Sequence, residues 1–432
     1  LTIKVQNEDM ASPLLRTFED VLALPQVRFF LDGRRPEGLI WDPAREIVIE
    51  EALPNLHTLP PLQALQLEEK DLISIAGPSW LEAETIDAPA IYGGFLIRHF
   101  GHFIHESLSR LWWLAPGEGM ERPAQEASQQ LRQLNADVVF FMPEWLDHGK
   151  DLLPYMEDIL CLLGLPASRI RILQRPLRFR QLWIPACVWG FATNPQVLDQ
   201  RLSCDTRALM RHLLASSQVE PPELDQPGKV YVTRSGLPFS LGRLIGDAVL
   251  DPLLAEAGYK VFHPEAVSIA EQIRVYSQAK DLIFMDGSSV YVLWFAKLRP
   301  GTQVRVILRR RQGRWMCQQL LALLPAAGSI QWQVVDALRA EALTSGRDWE
   351  SHNVADLASL LHQLLGDVPS VLPKPAQEVL ASYTHQLVQE SSPEQLARVM
   401  EALMTTLATD LPKPLSRRRR LYRKLRRLFN QR

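Results

Sequence analysis

The hydrophobic pattern changes character along the chain. In residues 1–85, short strand-like runs (Arg28–Leu31, Glu46–Glu50) are interrupted by prolines and read as an N-terminal extension packed on the first domain. A Gly-rich start at Gly93 then leads into a long amphipathic run ending at Leu114. Asp137–Met142 (DVVFFM) has the apolar density of a buried strand. Asp151–Leu163 repeats at helical spacing and is ended by Gly164 and Pro166. Leu182–Pro185 reads as a strand and Asn194–Ser217 as a helix. The polar, proline-rich Ser217–Gly228 marks a domain boundary.

Beyond that boundary the two periodicities alternate. Strands are expected at Lys229–Thr233, Tyr259–Phe262, Asp281–Met285 and Gln303–Leu308, with helices at Leu244–Glu256, Ile269–Ala279 and Ser289–Lys297 between them. Such alternation builds a parallel sheet through right-handed crossovers, so the fold class is α/β. Residues 317–340 add a helix and a strand, and 352–410 read as helical throughout. The expected division is an N-terminal extension (1–85), two Rossmann-like domains (86–220 and 228–345), a helical C-terminal region (346–415) and a basic tail (416–432).

Composition adds one surprise. With 432 residues, 47% hydrophobic and 22% charged, the chain is ordinary for a globular protein, which excludes disorder, collagen and coiled coil as wholes. The net charge of −2, however, is a cancellation. Residues 417–432 carry nine Lys/Arg and no acid, leaving 38 basic against 49 acidic residues elsewhere, about −11. Cys161, Cys187, Cys204 and Cys317 have neither CxxC spacing nor a framework pattern, which fits a reducing compartment. The first 25 residues show no secretory pattern, and no apolar run approaches the ~20 residues of a spanning helix. The expectation is a soluble or peripheral protein.

Four segments carry candidate chemistry. In GGFLIRHFGHFIHESLSRLWWL, a helix from Gly101 places His102, Glu106 and Arg110 at i, i+4 and i+8 on one face, with His105 and Ser109 as a second polar row. That is either an acid–base pair with a cation beside it or a surface helix with a stabilising ion pair. The order His102-x-x-His105-Glu106 lacks the HExxH pattern and a third ligand, so no metal site is expected. Arg234 follows a strand directly and Arg243 lies one short loop later. Two guanidiniums at the carboxyl edge of a parallel sheet suit a diphosphate, or else pair with nearby carboxylates. Ser268–Glu271 reads as a capping box, a structural role, with Glu265 just before it as a candidate to face the cleft. The turn Asp286–Gly287–Ser288–Ser289 between a strand and a helix offers backbone N–H groups to an anion, or simply caps the helix. Trp112 and Trp113 are adjacent, so one of them is expected to line a cleft.

Taken in order, GHFIHESLSRLW, VYVTRSG with Arg243, AGYKVFHPEAVSIAEQI and the DGSS turn after DLIFM resemble glycosyltransferase family 61, especially its bacterial capsule and lipopolysaccharide members. The resemblance spans about Gly93–Pro300. It places the family's His-x-x-x-Glu helix on His102 and Glu106, with Arg110 following. It places the post-strand Arg on Arg234, and the Arg of an R-x-x-x-E-like element on Arg243, with Asp247 where the acid stands. The proline–glutamate pair falls on Pro264 and Glu265, and the E-Q-I start on Glu271 and Gln272. The H-G-S/A or E-G-S-A-x-H turn falls on Asp286, Gly287 and Ser288. Two positions depart from the family: Asp286 replaces His or Glu, and Tyr291 replaces a second His.

The resemblance implies a GT-B pair of Rossmann-like domains, an acceptor-side one (86–220) and a nucleotide-sugar-binding one (228–345). It also implies inverting transfer without an obligatory metal or cofactor, the nucleotide-sugar being the donor substrate. Arg234, Arg243, Gly287, Ser288, Ser289 and Glu265 become donor-binding candidates, and His105 and Arg110 acceptor-side ones. Base candidates rank Glu106 (oriented by His102), His102, then Asp286. In Arg417–Arg432 the apolar Leu421, Tyr422, Leu425, Leu428 and Phe429 share a helical face opposite the arginines, which suits an anionic bilayer. A nucleic-acid partner is not expected, since no recognition motif accompanies the tail. The resulting expectation is a cytoplasmic glycosyltransferase, peripheral on the inner face of the membrane, acting on a surface polysaccharide or lipid-linked glycan. The rivals are a non-catalytic glycan- or nucleotide-binding partner of an assembly complex, motivated by the two departures, and a hydrolase using paired carboxylates.

Overall fold

The fold is that of a computed structural model. It describes residues 14–28, 37–45, 47–53, 82–143, 151–190, 195–218, 228–238, 241–244, 247–324, 328–342, 352–366, 394 and 397. In chain order the first half holds β1 (Leu15–Arg28), β2 (Glu37–Asp42), β3 (Ile47–Val48), β4 (Glu84–Ile86), β5 (Ala90–Phe95), α1 (Phe100–His105), α2 (Arg122–Leu134), β6 (Asp137–Phe141), α3 (Pro154–Leu162), β7 (Ile170–Ile172), β8 (Leu177–Pro185), α4 (Pro195–Leu202) and α5 (Thr206–Ser216). The second holds β9 (Lys229–Val232), α6 (Leu250–Glu256), β10 (Lys260–Phe262), α7 (Ile269–Gln278), β11 (Asp281–Met285), β12 (Gln303–Ile307), α8 (Gly313–Leu323), β13 (Gln331–Val335), β14 (Leu338–Ala342), β15 (His352–Ala355) and α9 (Leu357–Leu365).

The first sheet runs β3-β2-β1-β8-β5-β6-β7, with β4 also paired to β8. Strands β4 to β8 are mutually parallel where they pair, whereas β1 to β3 are antiparallel. The segment read as an extension therefore supplies strands to the sheet itself. β1 lies along β8 from Leu15 opposite Pro185 to Ala23 opposite Leu177. Strand β5 (AIYGGF) is buried throughout, as a central parallel strand must be. Gly93 belongs to its packing, because a methyl there would collide with the Phe140 ring of β6.

The second sheet is wholly parallel, in the order β10-β9-β11-β12-β13. Numbered from its own first strand this is 2-1-3-4-5, a doubly wound order whose switch point lies between β9 and β11. Alternate residues of β11 face opposite layers. Leu282 and Phe284 join a core with Ile273 and Tyr276 of α7 and Met316 and Leu320 of α8. Ile283 and Met285 join Leu250 and Leu254 of α6 and Leu360 and Leu364 of α9. Arg305 of β12 ties α9 down, reaching Leu364 O at 2.6 Å and Asp281 at 2.7 Å.

The halves share one apolar core, which holds Trp112, Trp113 and Leu213 together with Tyr291, Trp294 and Leu320. Arg211 donates to Ala322 O (3.1 and 2.6 Å), and Gln218 to Trp294 O and Ala296 O (both 3.2 Å).

Several expected helices are shorter or broken. Asn194–Ser217 becomes α4 and α5, parted at Ser203 (φ 50°), and Asp205 caps α5 through Ala208 N–H. The helix expected over 244–256 is a 3-10 turn, Asp247–Val249, followed by α6, and the one at 289–297 is a 3-10 helix, Ser288–Trp294. His352–Ala355 is a strand, not part of a helix, because it pairs with β14. The rest of the expected helical region beyond 366, apart from two residues, and the whole basic tail lie outside the described residues.

Candidate functional site

The segment after β5 and the turns after β9, β10, β11 and β12 build the site. α1 begins at Phe100 and stops after six residues, and a 3-10 turn, Ser107–Arg110, takes over. Local hydrogen bonds cause the break. Ser109 Oγ donates back to Glu106 O (2.7 Å), and Ser107 Oγ accepts from Ile97 N–H (3.0 Å). His102 and Glu106 remain paired, with Nδ1 2.7 Å from Oε1 and the side chains 18% and 6% exposed.

Arg110 does not join them. It turns into the core, donates to Pro185 O (2.6 Å) and Leu53 O (2.9 Å), and lies over the Tyr92 ring, where it ties the ends of β8 and the β3 region together. The expected three-residue stripe is thus a two-residue pair, since a 3-10 turn does not continue the α-helical register. His105 is also enclosed. Trp189 Nε1 donates to its Nδ1 at 3.4 Å, and its ring meets Tyr291 and Trp294 edge-on or tilted, with centroids 4.3 and 4.9 Å away. Burial pushes its pKa down to about 3, so it stays neutral. Trp112 and Trp113 are both fully buried, contrary to the cleft expected from their adjacency. Their 3-10 turn (Trp112–Leu114) is closed over by α2, whose Ser128 donates to Trp113 O, and Trp112 Nε1 reaches Ala186 O.

On the second sheet, Arg234 leaves the end of β9 half-buried and lies against Gly287 at the end of β11. A methyl at Gly287 would stand 2.5 Å from its Nη1 and 3.3 Å from Cζ. Burial lowers Arg234's pKa, opposed by Asp286 and Asp247. Arg243 behaves differently. Only 2% exposed, it donates to Ser235 O (3.0 Å) and Arg234 O (3.2 Å), with Asp247 3.6 Å from its Nε. Its guanidinium braces the loop that carries Arg234 and does not face the cleft. Asp247 answers it from a site where burial raises the carboxyl to about 6. Beneath the loop, Asp251 accepts from Thr233 Oγ1 (2.8 Å) and Ser235 Oγ (2.5 Å).

Ser268 Oγ accepts from Glu271 N–H (3.2 Å), one half of the capping box, while the Glu271 carboxylate accepts from Arg274 (2.6 Å). Glu265, on the 3-10 turn Pro264–Ala266, stands over Gly236, where a methyl would collide with its Oε1, and pairs with His263 at 3.2 Å. The turn after β11 holds Ser288 and Ser289 partly exposed at the head of a seven-residue 3-10 helix. The anion-binding α-helix expected there is therefore only a short turn with a correspondingly short dipole. Asp286 is 2% exposed and its Oδ2 lies 3.5 Å from Arg310 Nε, so it is far more enclosed than His102. Tyr291 is likewise fully buried, its hydroxyl pKa raised by burial and by Asp286.

Two elements lie outside the sequence-based expectation. His99, exposed between β5 and α1, meets His102 edge-on at 5.0 Å, and partial desolvation, His102 and Arg310 push its pKa down to about 4. Arg309 and Arg310 leave the end of β12. Arg309 is buried and its Nε reaches Asp286 O at 3.4 Å. Their signal in the sequence is a basic run directly after a strand, the same signal that singles out Arg234.

The carboxyl edges of both sheets meet here. A methyl at Gly101 in α1 would stand 3.0 Å from Ser288 Oγ, and His105 packs on Tyr291. Among the described residues no three His, Cys, Asp or Glu side chains converge as a metal-ligand group. Nor is any described helix long and apolar enough to cross a membrane.

Residues 100–305 match the family model described as Glycosyltransferase 61, which bears out the resemblance carried by the four motifs. No curated protein matches the chain. Among solved structures, the chain is similar to the bacterial iron-containing dodecameric glycosyltransferase TibC from enterotoxigenic E. coli H10407, at 13% identity over 70% of this chain and 81% of that one, with a TM-score of 0.25. A second TibC structure, described as a dodecameric iron-containing heptosyltransferase in complex with ADP-D-beta-D-heptose, is 11% identical over 72% and 80%, also at 0.25. So loose a superposition carries no argument about function.

Proposed function

We propose that this chain is a family 61 glycosyltransferase that moves a sugar from a nucleotide-sugar donor to a surface polysaccharide or lipid-linked glycan, with inversion and without an obligatory metal or cofactor. The observation that carries the reading is the meeting of the two sheet edges. Gly101 against Ser288 brings the His102–Glu106 pair, on one side, to the turn on which Arg234 lies, on the other. A general base and a cation facing one space are what displacement of a diphosphate by a hydroxyl needs. The two sheets then serve as the paired halves of a GT-B architecture.

His102 takes precedence over Glu106 as the base, because its side chain is the more exposed of the two. Glu106 accepts the Nδ1 proton and so leaves Nε2 basic. The acceptor's O–H proton passes to Nε2 as its oxygen bonds to the sugar's anomeric carbon. The bond from that carbon to the diphosphate oxygen breaks, and its electron pair leaves with the diphosphate. Arg234, the Gly287 backbone and the Ser288 and Ser289 hydroxyls receive that charge, and Glu265 faces the donor from the neighbouring turn. Asp286 and Tyr291, the two departures from the family pattern, are buried behind these groups. Residues 417–432 hold the enzyme on the inner face of the membrane, each basic residue near an anionic surface contributing about 1 kcal/mol.

The test is a panel of UDP-, GDP-, CMP- and ADP-sugars, read by thermal shift and by sugar release or transfer. One or more donors are expected to stabilise the protein and turn over. If no donor does either, the binding-partner reading takes its place. Arg234→Ala and Glu106→Gln are each expected to reduce transfer, and intact transfer in both would sink the assignment.

A further inference from the structure

We infer that Arg310 is a second guanidinium for the departing diphosphate, and that Asp286 is the positioning residue that holds it there. The inference rests on the nucleotide-sugar reading above and specifies how the site handles the phosphate charge.

Three neighbouring strands end together. β9 delivers Arg234, β11 delivers Asp286 and Gly287, and β12, on the far side of β11, delivers Arg309 and Arg310. The edge would otherwise rely on Arg234 and Arg243, but Arg243 is committed to the loop carbonyls beneath Arg234. Of the β12 pair, Arg309 is turned down. Its Nε reaches Asp286 O, and its own carbonyl accepts from buried Asn353 (2.6 Å). Arg310, 9% exposed, instead has Nε 3.5 Å from Asp286 Oδ2 and Nη2 against Met316 Sδ at 2.6 Å.

Asp286 is fixed from both sides. Its Oδ2 has no hydrogen-bond partner among the described residues, and a methyl at Gly313, the first residue of α8, would collide with it. The carboxylate is thus wedged between Arg310 and the positive end of an eleven-residue helix. It acts on Arg234 as well, while Arg310 acts on both Arg234 and His99. Arg310 therefore lies beside Asp286, the residue before the Gly287 against which Arg234 packs. Two guanidiniums thus flank the one carboxylate of this turn, two cations to one anion among the three groups. A diphosphate supplies the opposite charge, and planar forks bind it in bidentate fashion.

The experiment uses the full chain with inorganic pyrophosphate and with UDP, GDP, ADP and CDP, read by calorimetric titration, with the parent nucleosides as controls. Arg310→Gln is expected to weaken pyrophosphate and the preferred nucleoside diphosphate about 10- to 100-fold, leaving the nucleoside unchanged. Arg310→Lys, which retains charge but loses the fork, is expected to fall in between and decides the matter if Arg310→Gln does not fold. Asp286→Asn is expected to raise the donor KM more than it lowers kcat. Wild-type affinity in Arg310→Lys and Arg310→Gln overturns the inference alone. If the wild type binds neither pyrophosphate nor any nucleoside diphosphate, the nucleotide-sugar reading falls with it.

Discussion

His102 Nδ1 lies 2.7 Å from Glu106 Oε1, across the last turn of a helix that ends between them. The pair survives the end of α1 because the i to i+4 step spans only the turn that is still α-helical. Glu106 is 6% exposed and His102 18%, so the carboxylate sits behind the ring. His102→Gln is expected to lower kcat about 10²- to 10⁴-fold with donor affinity unchanged. Glu106→Gln, which still accepts a hydrogen bond but carries no charge, is expected to lower it less. Steady-state kinetics with a fixed acceptor, alongside donor titration, separates the two effects. A larger loss in Glu106→Gln than in His102→Gln would reverse the assignment of the base.

Gly287 has φ 174° and ψ 171°, an extended backbone that any residue adopts, so its identity is set by space. A methyl there would stand 2.5 Å from Arg234 Nη1 and 3.2 Å from its Cδ. Gly287→Ala must therefore displace the far end of Arg234 while the strand ends keep their place. The expected result is a change in unfolding free energy under about 1 kcal/mol with donor KM raised roughly tenfold, the size of one lost charged hydrogen bond. Urea denaturation and donor titration of the same preparation check both halves.

Arg234 and Arg243 lie nine residues apart in sequence and are expected to fail in opposite ways. Arg243→Met removes the donors to Ser235 O and Arg234 O and leaves Asp247 buried without its guanidinium. Breaking a buried pair in this way costs about 3–5 kcal/mol of stability. Arg234→Met removes a half-buried side chain whose hydrogen bond to Leu241 O is long at 3.3 Å. It is expected to shift stability by less than about 1 kcal/mol and to weaken donor binding instead. Equal destabilisation of the two variants would contradict the division of roles.

How much of the molecule is legible in its sequence depends on the range of the contacts. The strands of the second sheet are readable one by one, because each carries its own apolar run, whereas the helices expected at 244–256 and 289–297 are partly or wholly 3-10. The capping box at Ser268 and Glu271 and the pairing of His102 with Glu106 are readable because both lie within one helical turn. Arg110 is not, since its partners are 57 and 75 residues away and no spacing encodes them. The same holds for β1, whose pairing with β8 crosses some 160 residues and whose run is interrupted by Pro25. Arg243 carries a usable hint in Asp247 at i+4, which already offers it a structural partner. Arg310 has the same sequence signal as Arg234, a cation immediately past a strand, but the run Arg309–Arg310–Arg311 hides it by resembling a solvated charge cluster.

His105 gives the fold a pH dependence that is separable from catalysis. Burial between Trp189, Tyr291 and Trp294 holds its pKa down to about 3, against 6.5 for an unburied imidazole. Between those values the unfolded chain binds a proton at this site that the native protein does not. The stability it contributes is therefore fully present above pH 6.5 and is lost as pH falls toward 3. The slope is about 1.4 kcal/mol per pH unit for one proton. His99 is exposed, so although desolvation, His102 and Arg310 lower its pKa as well, solvent screening leaves it only a minor share of this slope. Replacing His105 with Phe keeps an aromatic ring of similar breadth against Tyr291 and removes the titrating group. Urea unfolding of the wild type and His105→Phe at pH 7, 6, 5 and 4 is expected to give a slope shallower by one proton in the variant. Parallel slopes would mean that His105 is already protonated in the folded protein, and that its ring nitrogen does not accept the Trp189 hydrogen bond.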